Sequence, residues 1–136
     1  MICKDKSKKT VHYGKFNGLG GKVKACESIL EGLYREIKEE SGILITNPIL
    51  LGVLLFPNFT RDSDWIVFVY VADVSSREFI ESEEGSLVWV KDDEILKLPL
   101  WDGDREFVPL VLERKKFFGR FNYFESRLRD FKLLKV

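Results

Sequence analysis

Between Gly21 and Ile43 the chain reads GKVKACESILEGLYREIKEESGI, with five glutamates in fourteen residues. Three of them, Glu36, Glu39 and Glu40, crowd its end. At roughly 100° per residue on a helix, Glu36 and Glu40 share one strip and Glu39 takes a neighbouring row. Carboxylates four residues apart repel by a few tenths of a kcal/mol in water and by more in a lower dielectric, so the arrangement calls for a cation. Carboxylate oxygens are the hard donors that Mg²⁺ takes, with waters and substrate phosphates completing its octahedron. Arg35, next to Glu36, has the forked geometry that fixes a carboxylate, and Glu27 is an acid placed to orient the others. Gly18, Gly20 and Gly21 let the preceding backbone turn tightly and approach a ligand, with Lys22 beside them as a phosphate contact.

Such residues need a rigid support, and the local sequence supplies one. Ser28 and Glu31 form a capping box, Ile29, Leu30, Leu33 and Ile37 recur at helical spacing, and Ser41-Gly42 ends the pattern, which predicts a helix over 28–40. Its apolar stripe lies beside the acids, so they border the core. ILLGVLLF (49–56) and WIVFVYVADV (65–74) have the length and β-branched content of buried strands joined by a polar loop, PNFTRDSD. GSLVWV predicts another strand, DDEILKL a short helical turn, and GDREFVPLVLERKK a second helix that Pro109 kinks or delays. The last twenty residues predict two short strands meeting around Glu125 to Arg127.

Composition bounds the rest. A length of 136 residues, 45% of them hydrophobic, suits one domain spanning 1–136 with a real core. Lys+Arg and Asp+Glu both number 22, so no global charge pulls the protein toward nucleic acid or an acidic membrane. Eight Lys/Arg against two acids over 114–136, with interleaved phenylalanines, read as solvated terminal strands rather than a nucleic-acid surface. Two cysteines without CxxC spacing read as separate buried thiols in a reduced, cytoplasmic protein, and the apolar runs are too short to span a bilayer. His12, the only histidine, lacks the partners a metal or catalytic role requires.

Gly21, five residues, Glu27, seven residues, Arg35-Glu36-Ile37, one residue, Glu39-Glu40, one residue, Gly42-Ile43 resembles the Nudix hydrolase signature at each specified position. Seven fixed identities would coincide by chance only about once in 10⁷ placements. The resemblance implies an α/β/α sandwich with a mixed β-sheet and hydrolysis of a nucleoside diphosphate linked to another group. It implies that Glu36, Glu39 and Glu40, with the Gly20 carbonyl, hold Mg²⁺, or Mn²⁺ in its place, and that the acids help activate water.

The flanks GKFNGLGGK, FPNFTRDSDW, ESEEGSLVWV and LPLWDGDREFVPL resemble the MutT-type oxidised purine nucleoside triphosphatases. That likeness implies cleavage of a substrate such as 8-oxo-dGTP to monophosphate and pyrophosphate, which sanitises the nucleotide pool. Asn17 and Asp104 would read the base edge, Trp101 would stack on it, and Glu84 would join the metal and water site. Leu19, Gly20, Gly21, Lys22 and Asp102 complete the expected substrate contacts. Where the animal enzymes carry two adjacent aspartates this chain has Gly103-Asp104, so Asp102 or a single acid is expected to serve. Two other readings stay open: a Nudix pyrophosphohydrolase of another nucleotide (dNTP, ADP-ribose or a nucleotide sugar), and a non-catalytic nucleotide- or RNA-binding Nudix module. Finally, the box starts close to Met1, with Met1 to Lys4 matching the relatives' second strand. This leads us to expect a sheet lacking its first strand, with an edge there that a second copy covers in a homodimer.

Overall fold

The computed structural model describes residues 2–5, 15–80 and 86–136. In chain order the elements are β1 (Ile2–Asp5), β2 (Phe16–Gly18), α1 (Ile29–Ser41), β3 (Ile45–Thr60), β4 (Ser63–Val74), β5 (Ser86–Trp89), a 3₁₀ turn (Asp92–Lys97), α2 (Asp102–Leu112), β6 (Phe117–Phe124) and β7 (Arg127–Lys135). They fall into two compact units: Met1–Asn47 with Ala72–Leu100, and Pro48–Val71 with Trp101–Val136. β3 and β4 each begin in one unit and end in the other.

In the first unit β1 is the middle strand of a three-stranded antiparallel sheet, with β2 on one side and β5 on the other. This overturns the expectation of an open edge at Met1 to Lys4: Cys3 is in register with both Gly18 and Val88, so no edge of β1 is left for a second copy. α1 starts as its sequence dictates, with the Ser28 hydroxyl accepting from the Glu31 N–H at 3.1 Å. It ends at Gly42, which takes φ 74° and donates its N–H to the Lys38 carbonyl. Ile29 and Leu30 are 36% and 43% exposed, so the expected stripe is buried only farther along the helix. The buried face is Gly32, Ile37, Glu40 and Ser41, because the chain ahead of the helix lies over the first turns, with Val23 and Glu27 against Gly32. Ile37, Ile43 and Ile45 form this unit's core with Leu19, Leu33, Phe79 and Trp89.

The second unit is built on the order β4-β3-β6-β7. β6 runs parallel to β3 and antiparallel to β7, so the sheet is mixed and the class is α/β. The polar stretch read as a loop, PNFTRDSD, is mostly strand: only Arg61 and Asp62 turn, and Asp62 has φ 57°. Pro57 lies beyond Gly52–Leu55, the segment in register with β6, so its missing N–H costs that pairing nothing. α2 begins ahead of Pro109 at Asp102, so the proline does not delay it. Leu51, Leu54, Leu110, Val111, Phe117 and Phe121 make the core. Cys26, expected to be buried, is exposed.

Candidate active site

The acidic helix is organised around Arg35. Its Nε and Nη2 donate to the two oxygens of Glu27 at 3.0 and 2.7 Å, a fork-to-fork pair. Nη2 also reaches the Lys22 carbonyl at 2.9 Å, and Nη1 reaches Glu36 Oε1 at 2.8 Å and Glu39 Oε2 at 3.1 Å. One guanidinium thus answers three carboxylates and ties α1 to the glycine loop before it. Bonds from Arg35, then from the Lys24 N–H, hold the Glu27 carboxyl down at about 2, and Glu27 and Glu36 raise Arg35 above its ordinary value. Glu27 therefore stays ionised at neutral pH, and its contribution is lost only as pH falls from about 4.5 through 2.

Glu36, Glu39 and Glu40 stand in different surroundings. Glu40 is 5% exposed and accepts from the Gly20 N–H at 3.2 Å. Glu36 is partly buried over Gly21, so close that a Cβ at residue 21 would collide with its carboxylate. Glu39 is mostly exposed. Among the described residues no three acids, cysteines or histidines are gathered tightly enough to hold a metal, because Glu36 and Glu39 are turned to Arg35. The donor set is nonetheless all carboxylate, on successive turns of one helix, and the missing Cβ of Gly21 keeps space for it. That chemistry fits a hard divalent ion. Glu84, expected to join from a distant loop, and His12 lie outside the described residues.

Two further expected contacts lie in the first unit. Asn17, on β2, keeps a buried Nδ2 with no hydrogen-bond partner among the described residues. A buried amide donor left unpaired is costly, and a ligand acceptor would relieve it. Leu19 packs against the Ile37 cluster, so it is core as well as a loop residue.

In the second unit Trp101 is the N-cap residue of α2, half-buried, and Asp102 is exposed on its first turn. Asp104, partly buried, is pushed up to about 7 by loss of water around its carboxyl. Between them, the Gly103 N–H donates to the Tyr123 hydroxyl at 2.6 Å. A Cβ at residue 103 would meet that oxygen at 2.6 Å and the Phe121 ring at 3.0 Å. Glycine at 103 thus makes room for the Tyr123 hydroxyl, and Asp104 is the acid beside it with an unusual environment. Tyr123, itself raised to about 12 chiefly by burial, also touches Phe56 and Phe59, and Phe59 meets Trp65 at 5.3 Å. Sequence reasoning missed Tyr123. The signal was the alternation of inward Phe117, Phe121 and Tyr123 along FFGRFNYF, which places its hydroxyl on the core side.

Comparison with known proteins identifies the family. A model of the NUDIX domain matches residues 2–111. An uncharacterised Nudix hydrolase of Bacillus subtilis is 37% identical over 76% of this chain and 69% of its own. An oxidized purine nucleoside triphosphate hydrolase of Mus musculus is 36% identical over 81% of this chain and 70% of its own. The crystal structure of a mutator MutT protein from Bacillus halodurans is similar at a TM-score of 0.84 and 34% identity, covering 97% of this chain and 88% of that one. Among the described residues no helix is long and apolar enough to cross a membrane. With its signature helix, mixed sheet and matched relatives, the chain belongs to the Nudix hydrolase family, as a MutT-like member of these divalent-metal-using pyrophosphohydrolases.

Proposed function

We propose that this chain hydrolyses oxidised purine nucleoside triphosphates, 8-oxo-dGTP among them, to monophosphate and pyrophosphate with Mg²⁺. The observation that carries the substrate reading is the placement of Asp104, a partly buried acid on the first turn of α2 next to the Gly103–Tyr123 hydrogen bond; burial pushes its carboxyl up to about 7, so that a large fraction is protonated at neutral pH. A protonated carboxyl both donates and accepts, as does an oxidised purine edge that presents an N–H beside its oxygens. Trp101, at the start of the same helix as Asp104, offers its indole as a stacking surface. The Mus musculus relative, by its name, acts on this substrate class.

In this reading Glu36, Glu39 and Glu40 offer the oxygens for the metal. One of them takes the proton of the attacking water, and pyrophosphate leaves. Arg35 and Glu27 keep the glycine loop in register with α1, so that the backbone of Gly20 and Gly21 and the side chain of Lys22 meet the phosphates. When bound, the divalent ion neutralises phosphate charge and makes its water more acidic. The chain works as one domain, 1–136, on small nucleotides in the cytoplasm.

Turnover of 8-oxo-dGTP, dGTP and ADP-ribose tests the substrate. An 8-oxo-dGTP kcat/KM no higher than that of the other two refutes it. Chelation by EDTA should stop the reaction and Mg²⁺ restore it. Glu40→Gln should lower kcat by about 10² to 10⁴ with the fold intact, and an unchanged rate removes Glu40 from the site.

A further inference from the structure

The hairpin of β6 and β7 has two unlike faces. Its inner side chains, Phe117, Phe121, Tyr123, Leu128 and Leu133, belong to the core of their unit. The register places on the outer face the pairs Phe118 with Leu134, Arg120 with Lys132, Asn122 with Asp130, and Phe124 with Arg127. Phe118, Phe124 and Leu134 are 53%, 59% and 62% exposed, so these apolar groups contribute little to the interior. Arg120 and Lys132 are exposed, stand directly opposite one another and form no ion pair with a described residue. Like charges opposed across two strands weaken the sheet. The guanidinium of Arg129 lies over the Phe124 ring at 5.5 Å from its centroid. The one acid of these pairs, Asp130, accepts from Asn122 Nδ2 at 2.6 Å. The balanced net charge of the whole chain conceals this local excess.

We propose that the outer face of the β6–β7 hairpin binds single-stranded nucleic acid. Successive outward residues of β6 are about 7 Å apart. They read aromatic, cation, amide, aromatic in Phe118, Arg120, Asn122 and Phe124, and β7 adds Lys132 and Arg127 opposite. Rings at the ends of the strand offer stacking to unpaired bases, and the cations between them meet the phosphates, the combination by which sequence-tolerant single-strand binders work. A polyanion also resolves the opposition of Arg120 and Lys132, which no ion pair among the described residues offsets. A duplex keeps its bases stacked and offers the rings nothing. An anionic bilayer matches less well: the charge pair sits between the aromatic groups, so burying the rings would carry both cations toward the hydrocarbon. The surface uses no residue assigned to nucleotide hydrolysis.

The test is fluorescence anisotropy of the full chain with a labelled 20-nucleotide oligo(dT) in 50 and 200 mM KCl. Binding at 50 mM with a Kd of about 1 to 100 μM is expected, weakening about 20- to 50-fold at 200 mM if three or four phosphates are neutralised. Arg120→Glu combined with Lys132→Glu should weaken binding at least about tenfold and flatten the salt dependence. Phe118→Ala combined with Phe124→Ala should weaken it at least about fivefold while leaving the salt dependence in place. Both variants should keep the melting temperature and the nucleotide turnover of the parent. If charge reversal disturbs folding, Arg120→Gln with Lys132→Gln replaces it, with the same direction of effect. No saturable binding at 50 mM, a duplex bound as tightly as oligo(dT), or variants that bind like the parent would each overturn the proposal. So would retention on phosphatidylserine vesicles through these residues without oligo(dT) binding, which assigns the face to lipid instead.

Discussion

Arg35 supplies a cation to three of the crowded glutamates, Glu27, Glu36 and Glu39. Each of its three nitrogens is engaged, two of them on Glu27 alone. Glu27 touches no phosphate in the proposed reaction; it fixes the guanidinium that steers Glu36 and Glu39. Glu27→Gln removes the charge from that fork but keeps its size. Nudix turnover should fall about 10- to 100-fold, as is usual when a partner of the metal-binding groups is lost. Glu27→Asp, which keeps the charge, should recover part of it, and metal affinity measured by Mn²⁺ titration should fall alongside the rate.

Asp104 yields a prediction with a definite sign in pH. Its folded value of about 7 lies above the ordinary 3.8, so between these the folded state holds a proton that the unfolded state has released. Stability from this group is therefore present below about 4 and is lost as pH rises through 7. Asp104→Asn should raise stability at pH 8 by about 1 to 2 kcal/mol, allowing for its partial exposure, and change it little at pH 4. The same change should abolish a fall in kcat/KM for 8-oxo-dGTP centred near pH 7, where the parent loses its donor.

At the scale of elements, β6 and β7 meet in a two-residue turn whose central residues, Glu125 and Ser126, have φ 51° and 65°. Both belong to the left-handed region that Asn and Gly occupy at lower cost. Glu125→Asn with Ser126→Gly should stabilise the protein by about 0.5 to 1 kcal/mol in urea unfolding. That turn shows why part of the fold was hard to read. With no glycine to mark it, only strand alternation announced the hairpin, and its strands run longer than expected. β3 likewise continues through Pro57 to Thr60, where ring contact between Phe59 and Trp65 follows the pairing rather than any local preference. α1 was legible because Ser28, Glu31 and Gly42 encode its ends locally and its apolar spacing encodes its type. The place of Glu40 at the edge of the core was legible from its spacing. The roles of Arg35 and Glu27 were legible one by one but not as a pair, and the seat of Tyr123 under Gly103 was not legible, since it depends on a strand twenty residues further along.

For the whole molecule the question is whether two compact units behave as one domain. Each has its own apolar cluster, Ile37, Ile43 and Ile45 in one, and Leu54, Phe117 and Phe121 among those of the other. Independent cores allow independent melting. Against this, β3 and β4 run unbroken through both units, and the family match at 2–111 covers parts of each. We therefore expect a single cooperative transition, and the tryptophans allow it to be checked locally. Trp89 lies in the first unit, and Trp65 and Trp101 in the second. A variant with Trp65→Phe and Trp101→Phe reports the first unit by fluorescence; one with Trp89→Phe reports the second. Within each variant, the fluorescence midpoint in urea should coincide with that of far-ultraviolet circular dichroism, which sees both units. A fluorescence transition clearly separated from the dichroism in either variant would show that the units unfold separately, and the single-domain reading of 1–136 would fail with it.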